Sequence, residues 1–181
     1  MSKIDESIDY GGSIYALTED TANIYCGGFA TRKVWKIQKS NMSKVGESIY
    51  YGGTIYALAE DTDYIYCGGA GTDTVWKIQK SNMSKVDEDT FYGDTIRTLT
   101  EDTDYIYCGG DIGTVWKIQK SDMVKVGESI DYGGSIYALT AEEEEVGVTH
   151  QLISTSAIAT SITGVLSRGV TEVLTSTSTI V

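Results

Sequence analysis

Between residues 54 and 86, apolar and polar positions alternate in short runs that turn-forming residues separate. The alternation predicts four β-strands, at residues 54–59, 64–67, 74–80 and 83–86. The first strand, TIYALA, carries apolar side chains on both faces, which suits an interior strand. The third strand, TVWKIQK, is half polar, and the fourth is more variable. Polarity therefore increases from the first predicted strand to the fourth.

The sequence contains three copies of a repeat of about forty residues and the beginning of a fourth copy. The copies read NIYCGGFATRKVWKIQKSNMSKV from Asn23, YIYCGGAGTDTVWKIQKSNMSKV from Tyr64 and YIYCGGDIGTVWKIQKSDMVKV from Tyr105. The fourth copy starts with SIYALT at residues 135–140 and then stops. Repeats of this length are typical of arrays in which neighbouring units pack together to bury a common core.

Four short strands per repeat, graded from apolar to polar, are the composition of a β-propeller blade. The run YIYCGGAGTDTVWKIQKSNMSKV resembles the repeats of quinoprotein-type and WD40-like propellers, in which a glycine-marked hairpin precedes a hydrophobic strand. The resemblance covers residues 1 to about 140 and implies an all-β fold. It departs from the WD40 signature because no Gly-His pair is present and because Trp35, Trp76 and Trp116 are each followed by Lys. The likeness is therefore to the blade, not to a particular chemistry.

We predict an all-β protein in which residues 1–140 form three complete four-stranded blades and a split fourth one. Propellers have about four to eight blades, so this array does not close a ring by itself. Open sheet edges invite pairing with another chain. Either further subunits complete the ring, which we favour, or the tail supplies the missing part of a small fourth blade.

Residues 141–181 are predicted to be a C-terminal assembly tail that is rich in Ser and Thr. Its apolar positions fit one face of a helix, whereas its β-branched and hydroxyl residues favour strands. Repeats joined to such a tail also resemble the virion or tail-appendage proteins of phages and archaeal viruses. That resemblance implies a structural role in a larger assembly.

The charge of the chain bears on its partners. The 181 residues include 14 Lys and Arg against 26 Asp and Glu, which gives a formal net charge of -12 at pH 7. Such a chain repels a phosphate backbone and an anionic membrane surface, so we expect neither nucleic acid nor membrane as a partner. The sequence shows neither a secretory signal nor the roughly twenty apolar residues of a membrane span. We expect a cytoplasmic or virion-associated protein.

Few residues are candidates for catalysis or metal binding. His150 is the single histidine, which gives little basis for an acid–base catalytic site. Cys26, Cys67 and Cys108 share one repeat position, so we expect three equivalent core residues. The acidic run DTD at residues 61–63 lacks the rest of a calcium loop and is expected to form a hairpin tip. We therefore expect no enzymatic activity, no metal and no cofactor.

The recurring aromatic residues have two interpretations. They either stack sugar rings in equivalent pockets, as lectin-type propellers do, or pack one blade against the next, which we favour. We predict a non-enzymatic structural protein that associates with itself, with a glycan-binding lectin-type propeller as the alternative. The aromatic residues concerned are Tyr15, Tyr56, Tyr137, Trp35, Trp76 and Trp116.

Overall fold

The structure is a computed structural model that describes residues 6–7, 9–89 and 91–141. In these residues twelve strands form three four-stranded antiparallel sheets, and within each sheet every strand pairs with the next one along the chain. The all-β architecture and the three complete sheets are as predicted. The strands are β1 (Ile14–Glu19), β2 (Asn23–Gly28), β3 (Trp35–Gln38) and β4 (Ser43–Glu47); β5 (Ile55–Glu60), β6 (Tyr64–Gly69), β7 (Trp76–Gln79) and β8 (Lys85–Glu88); and β9 (Ile96–Glu101), β10 (Tyr105–Gly110), β11 (Trp116–Gln119) and β12 (Lys125–Glu128).

The register of each sheet aligns one residue from each of its four strands in a row, and these residues become more polar from the inner strand to the outer strand. In the second sheet Leu58 lies opposite Cys67, Cys67 opposite Trp76, and Trp76 opposite Glu88. The other two sheets repeat this row. The row runs from an apolar inner strand to an exposed carboxylate on the outer strand, and it is the structural form of the polarity gradient in the sequence.

Two of the predicted strands begin two residues later in the structure, whereas the ends of the first two differ by one or two residues. The third strand begins at Trp76 instead of residue 74, because the Val75 N–H donates to the carboxylate of Asp89 (2.6 Å) rather than to a neighbouring strand. The fourth strand begins at Lys85 instead of residue 83, because Met83 has a φ of 59° and its N–H closes a turn on the carbonyl of Gln79. A residue in the left-handed region ends a turn and does not open a strand.

Neighbouring sheets pack through their inner strands. Ile55 of β5 lies against Gly27 of the first sheet, and Ile96 of β9 lies against Gly68 of the second. Both isoleucines are fully buried. A glycine on one side lets the isoleucine of the following sheet approach the backbone closely, and this contact repeats with the period of the sequence.

The lone inner strand predicted at residues 135–140 is not a β-strand in the structure, because none of the described residues pairs with it as a second strand. The segment nevertheless lies beside the third sheet. The Leu139 N–H donates to the hydroxyl of Thr98 and the Ala141 N–H donates to the hydroxyl of Thr100, both at 3.2 Å. We call residues 135–141 the fourth inner segment.

Three predictions lie outside the described residues. They concern the tail from residue 142 onward, the outer strand near Met1 and the role of His150. Among the residues that the structure does describe, there is no helix long and apolar enough to cross a membrane.

Candidate functional site

The inner strand of the first sheet has an uncovered face. Ile14 is 44% exposed and Leu17 is 64% exposed, whereas Ile55 and Ile96, which hold the position of Ile14 in the next two repeats, are fully buried. The difference arises because β5 and β9 each pack on a preceding sheet, and the described chain provides none for β1. We call Ile14 and Leu17 the free face of β1.

A second feature is a row of side chains that runs from one inner strand to the next. Tyr15, Tyr56, Arg97 and Tyr137 share one position of the repeat. The rings of Tyr15 and Tyr56 are 5.4 Å apart, and the Arg97 guanidinium lies 4.7 Å from the Tyr56 ring and 6.0 Å from the Tyr137 ring. We call these four residues the inner ladder. Tyr15, Tyr56 and Arg97 of the ladder line a groove of about 230 Å³.

The ladder contains one residue that the sequence analysis missed. Arg97 replaces the tyrosine of the other repeats, and its Nε and Nη2 donate to the carboxylate of Asp111 (3.1 and 2.7 Å). This hydrogen bonding raises the pKa of Arg97 and lowers the pKa of Asp111. Asp111 itself stands where the other copies have Phe29 and Ala70. Arg97 and Asp111 both depart from the repeat in its third copy, and this coincidence in the sequence could have indicated that they pair.

The three tryptophans are placed differently from the tyrosines of the ladder. Each indole is buried, meets a tyrosine edge-on, and has a lysine ammonium over its ring. Protein atoms therefore occupy the ring surfaces that a sugar would need. The tyrosine partners are Tyr10, Tyr51 and Tyr92, at 4.9 to 5.0 Å, and the lysines are Lys44, Lys85 and Lys125, at 3.6 to 4.1 Å.

The acidic runs form hairpin tips, as predicted. Asp61 accepts hydrogen bonds from the N–H groups of Asp63 (3.0 Å) and Tyr64 (2.8 Å) and from the hydroxyl of Tyr66 (2.6 Å). Burial raises the pKa of Asp61, but these hydrogen bonds outweigh it and the pKa is lowered. At Asp20 the same balance lowers the pKa to about 2. Within the described ranges, no group of three or more His, Cys, Asp or Glu residues is arranged to hold a metal ion.

The three cysteines are core residues, and this prediction is confirmed. All three thiols are free and buried. Burial raises the pKa of Cys26 to about 11 and raises the pKa of Cys67 and of Cys108 further. Such thiols stay protonated at neutral pH and react slowly.

No protein-family model and no curated protein sequence matches this chain. Solved structures do match its fold. The crystal structure of the RRP9 WD40 repeats matches with a TM-score of 0.70 and 14% identity, covering 76% of this chain and 44% of that one. The computationally designed protein Ika4 matches with a TM-score of 0.71 and 12% identity over 79% of this chain and 88% of its own. The designed Ika8 matches with a TM-score of 0.68 and 13% identity over 77% and 43%.

The three sheets are therefore blades of a β-propeller. At these identities the likeness shows the fold alone. The chain spans less than half the length of the RRP9 and Ika8 chains that it matches. The described residues therefore form an arc of three propeller blades. Among these residues no blade precedes the first one, so its inner strand, β1, is uncovered on that side.

Proposed function

We propose that this protein is a non-enzymatic structural module that associates with copies of itself through its propeller blades. The observation that carries the proposal is the exposure of Ile14 at a repeat position that the next two blades bury completely. Leu17 is exposed as well, whereas its equivalents Leu58 and Leu99 are partly buried and buried. Covering the apolar side chains of Ile14 and Leu17 with another blade removes them from water, which stabilises the assembly.

The number of blades supports a second copy of this chain as the source of the blade that would cover β1. The chain covers 44% of the RRP9 WD40 chain and 43% of Ika8, but 88% of Ika4. Measured against the RRP9 and Ika8 chains, three blades leave room for a second set of three; Ika4 is itself close to the length of this arc. Three nearly identical blades also suit a protein that contributes shape, and a component of a virion or tail appendage is the setting we propose.

Light scattering of the full chain at micromolar concentration tests the proposal. We expect a mass that is a multiple of 19.6 kDa. The variant Leu17→Lys should shift the protein to the monomer, because it places a charge on the free face of β1. The control is Val126→Lys, which changes a half-exposed valine on an outer strand and should leave the mass unchanged.

A strictly monomeric wild-type protein would contradict the proposal. Electron microscopy of the same sample adds a second readout, because rings or filaments are expected and featureless single particles are not. Circular dichroism of Leu17→Lys should match that of the wild type, so that loss of association is not mistaken for loss of folding.

A glycan-binding module is the second candidate, and the inner ladder favours it. Tyr15 and Tyr137 expose more than half of their surface, and the Arg97–Asp111 pair adds hydrogen-bonding groups beside them. Aromatic faces next to such groups suit sugar rings. Calorimetry with simple sugars tests this function. Saturable binding that Tyr56→Ala abolishes would support it, and the absence of heat would contradict it.

A further inference from the structure

We propose that a second copy of this chain docks its first blade onto the third blade of the first copy, in the place that the fourth inner segment occupies in the structure. The proposal rests on the self-association proposed above and names the two surfaces that produce it. The contact is head to tail, so two copies bring together six blades. That number lies within the range of about four to eight blades that propellers use.

The first observation is an identity of sequence. Residues 6–18 and residues 128–140 both read ESIDYGGSIYALT. In the first case the sequence leads into β1 and a complete four-stranded blade, whereas in the second it leads into the fourth inner segment, which has no β-partner among the described residues. The two stretches offer the same side chains to the third blade. Only the first is continued by a whole blade, which buries more surface.

The second observation is that the fourth inner segment fills its place incompletely. Ile136 lies against Gly109 as Ile96 lies against Gly68, but Ile136 remains partly exposed while Ile96 is fully buried. The Ile136 N–H donates to the Gly110 carbonyl (3.0 Å), whereas the Leu139 and Ala141 N–H groups donate to side-chain hydroxyls of β9. One of these hydroxyls belongs to Thr98, where the first two copies have alanine. The segment therefore occupies a surface that fits an inner strand, and it buries its isoleucine there less completely than an inner strand does.

The charged residues at the loop ends of the blades give a third observation. The ammonium of Lys80 contacts Glu60 in its own blade and lies 3.8 Å from Asp20 in the preceding blade. Lys120 repeats this contact with the second blade. In the first blade the equivalent residue is Lys39, whose side chain is 31% exposed against 9% for Lys80. In the proposed contact, Lys39 of the second copy meets Asp102 of the first.

A fourth contact also repeats with the blades. The Lys36 ammonium donates to the carbonyl of Lys80 (2.9 Å), and the Lys77 ammonium donates to the carbonyl of Lys120 (2.6 Å), in each case from one blade to the next. The equivalent donor in the third blade is Lys117, and the docked second copy would supply its acceptor. The free face of β1 and the third blade are thus complementary in shape, charge and hydrogen bonding.

The test is a pair of variants at equivalent positions of the duplicated sequence, made in the full chain. Ile14→Asp should abolish association, because it removes the isoleucine that enters the third blade. Ile136→Asp should do the opposite and strengthen association by about tenfold or more, because it weakens the competing segment. Light scattering across a dilution series measures both, and circular dichroism checks that both variants fold.

The outcomes separate this inference from the proposed function. If the wild type associates and Ile136→Asp weakens association or leaves it unchanged, the fourth inner segment does not compete and the inference is wrong, while self-association stands. If the wild type and Ile136→Asp are both monomeric at micromolar concentration, both proposals are wrong.

Cross-linking gives an independent measurement of the contact. A chain carrying Tyr15→Cys is mixed with a chain carrying Arg97→Cys and treated with a short bis-maleimide. A covalent dimer is expected, because adjacent rungs of the inner ladder lie 4.7 to 6.0 Å apart, and the native thiols are buried. The control pairs Tyr15→Cys with Val86→Cys on an outer strand. Cross-linking of Tyr15→Cys to Tyr137→Cys instead would overturn the inference, because the segment would then remain in place.

Discussion

Ile96 in β9 packs directly against Gly68 in β6, and this contact joins the third blade to the second. A Cβ added to Gly68 would lie 2.6 Å from Cγ2 of Ile96 and 3.1 Å from its Cβ. Distances below 3 Å are too short for two carbon atoms, so one blade would have to move. The glycine is therefore required by the packing of the blades and not by the turn beside it.

We expect Gly68→Ala to lower the free energy of unfolding by about 1 to 3 kcal/mol, the usual cost of overpacking a core. Urea titration at fixed protein concentration measures it. Gly134→Ala is the matched control, because a Cβ there meets nothing within 4 Å. In the background of Ile96→Ala the further cost of Gly68→Ala should be smaller, because alanine lacks the Cγ2 that the added Cβ meets. Equal stability of Gly68→Ala and the wild type would show that the blades pack less tightly than the structure indicates.

Asp89 is a buried carboxyl at a position where the neighbouring copies have Ser48 and Ser129. Its Oδ1 accepts the Val75 N–H, but burial raises its pKa to about 7. The folded state therefore holds a proton that the unfolded state releases near pH 4, so this residue lowers stability progressively as the pH rises from about 4 to about 7.

We expect Asp89→Ser to stabilise the protein by about 2 to 4 kcal/mol above pH 7 and to have little effect near pH 4. The serine hydroxyl keeps the acceptor for Val75, as Ser48 does for Val34 at 2.9 Å. Thermal unfolding between pH 4 and pH 8 measures the change. The reverse substitution, Ser48→Asp, should introduce the same loss of stability with rising pH. A gain from Asp89→Ser that does not depend on pH would contradict the assignment.

The nearly buried ammonium of Lys80 joins two blades through partly exposed carboxylates. Its side chain is 9% exposed, and its ammonium contacts Glu60, the Asp61 carbonyl and, at 3.8 Å, Asp20. We expect Lys80→Met to lower the free energy of unfolding by about 1 to 3 kcal/mol, because two partly buried carboxylates lose their partner. Lys39→Met, the equivalent change in the first blade, should cost about 1 kcal/mol or less because its ion pair is more exposed. Equal costs in urea titration would contradict the role of Lys80.

Trp76 is a buried aromatic residue and Tyr137 an exposed one, so replacing each with alanine should affect stability differently. Trp76 is buried between Tyr51 and Lys85, so Trp76→Ala should cost about 3 to 5 kcal/mol of stability. Tyr137 is 70% exposed, and Tyr137→Ala should change stability by about 0.5 kcal/mol or less. Differential scanning calorimetry compares the two. A small effect of Trp76→Ala would mean that the tryptophans are available for another role.

Much of the fold follows from local rules that act within one repeat. Alternating apolar residues define the strands, and glycines and acidic turns define the reversals, so the four strands of each blade were predictable. The strand that was expected to begin at Met83 begins later because a non-glycine residue adopts a positive φ there. No local preference of methionine indicates that conformation.

The candidate site was only partly predictable. Tyr15, Tyr56 and Tyr137 were recognised because they recur, whereas Arg97 was missed because it interrupts the recurrence. Its pairing with Asp111 depends on the register of β9 and β10, which brings residues fourteen positions apart to one place.

The sequence by itself determined the repeat, its four strands and the burial of the three cysteines, because period-two alternation and turn chemistry act between near neighbours. Only the tertiary structure decided which faces are covered. Ile14, Ile55 and Ile136 occupy one position of the repeat, yet one is exposed, one is buried and one is partly buried. Burial depends on whether a neighbouring blade is present, and identical residues in a repeated sequence carry no information about that.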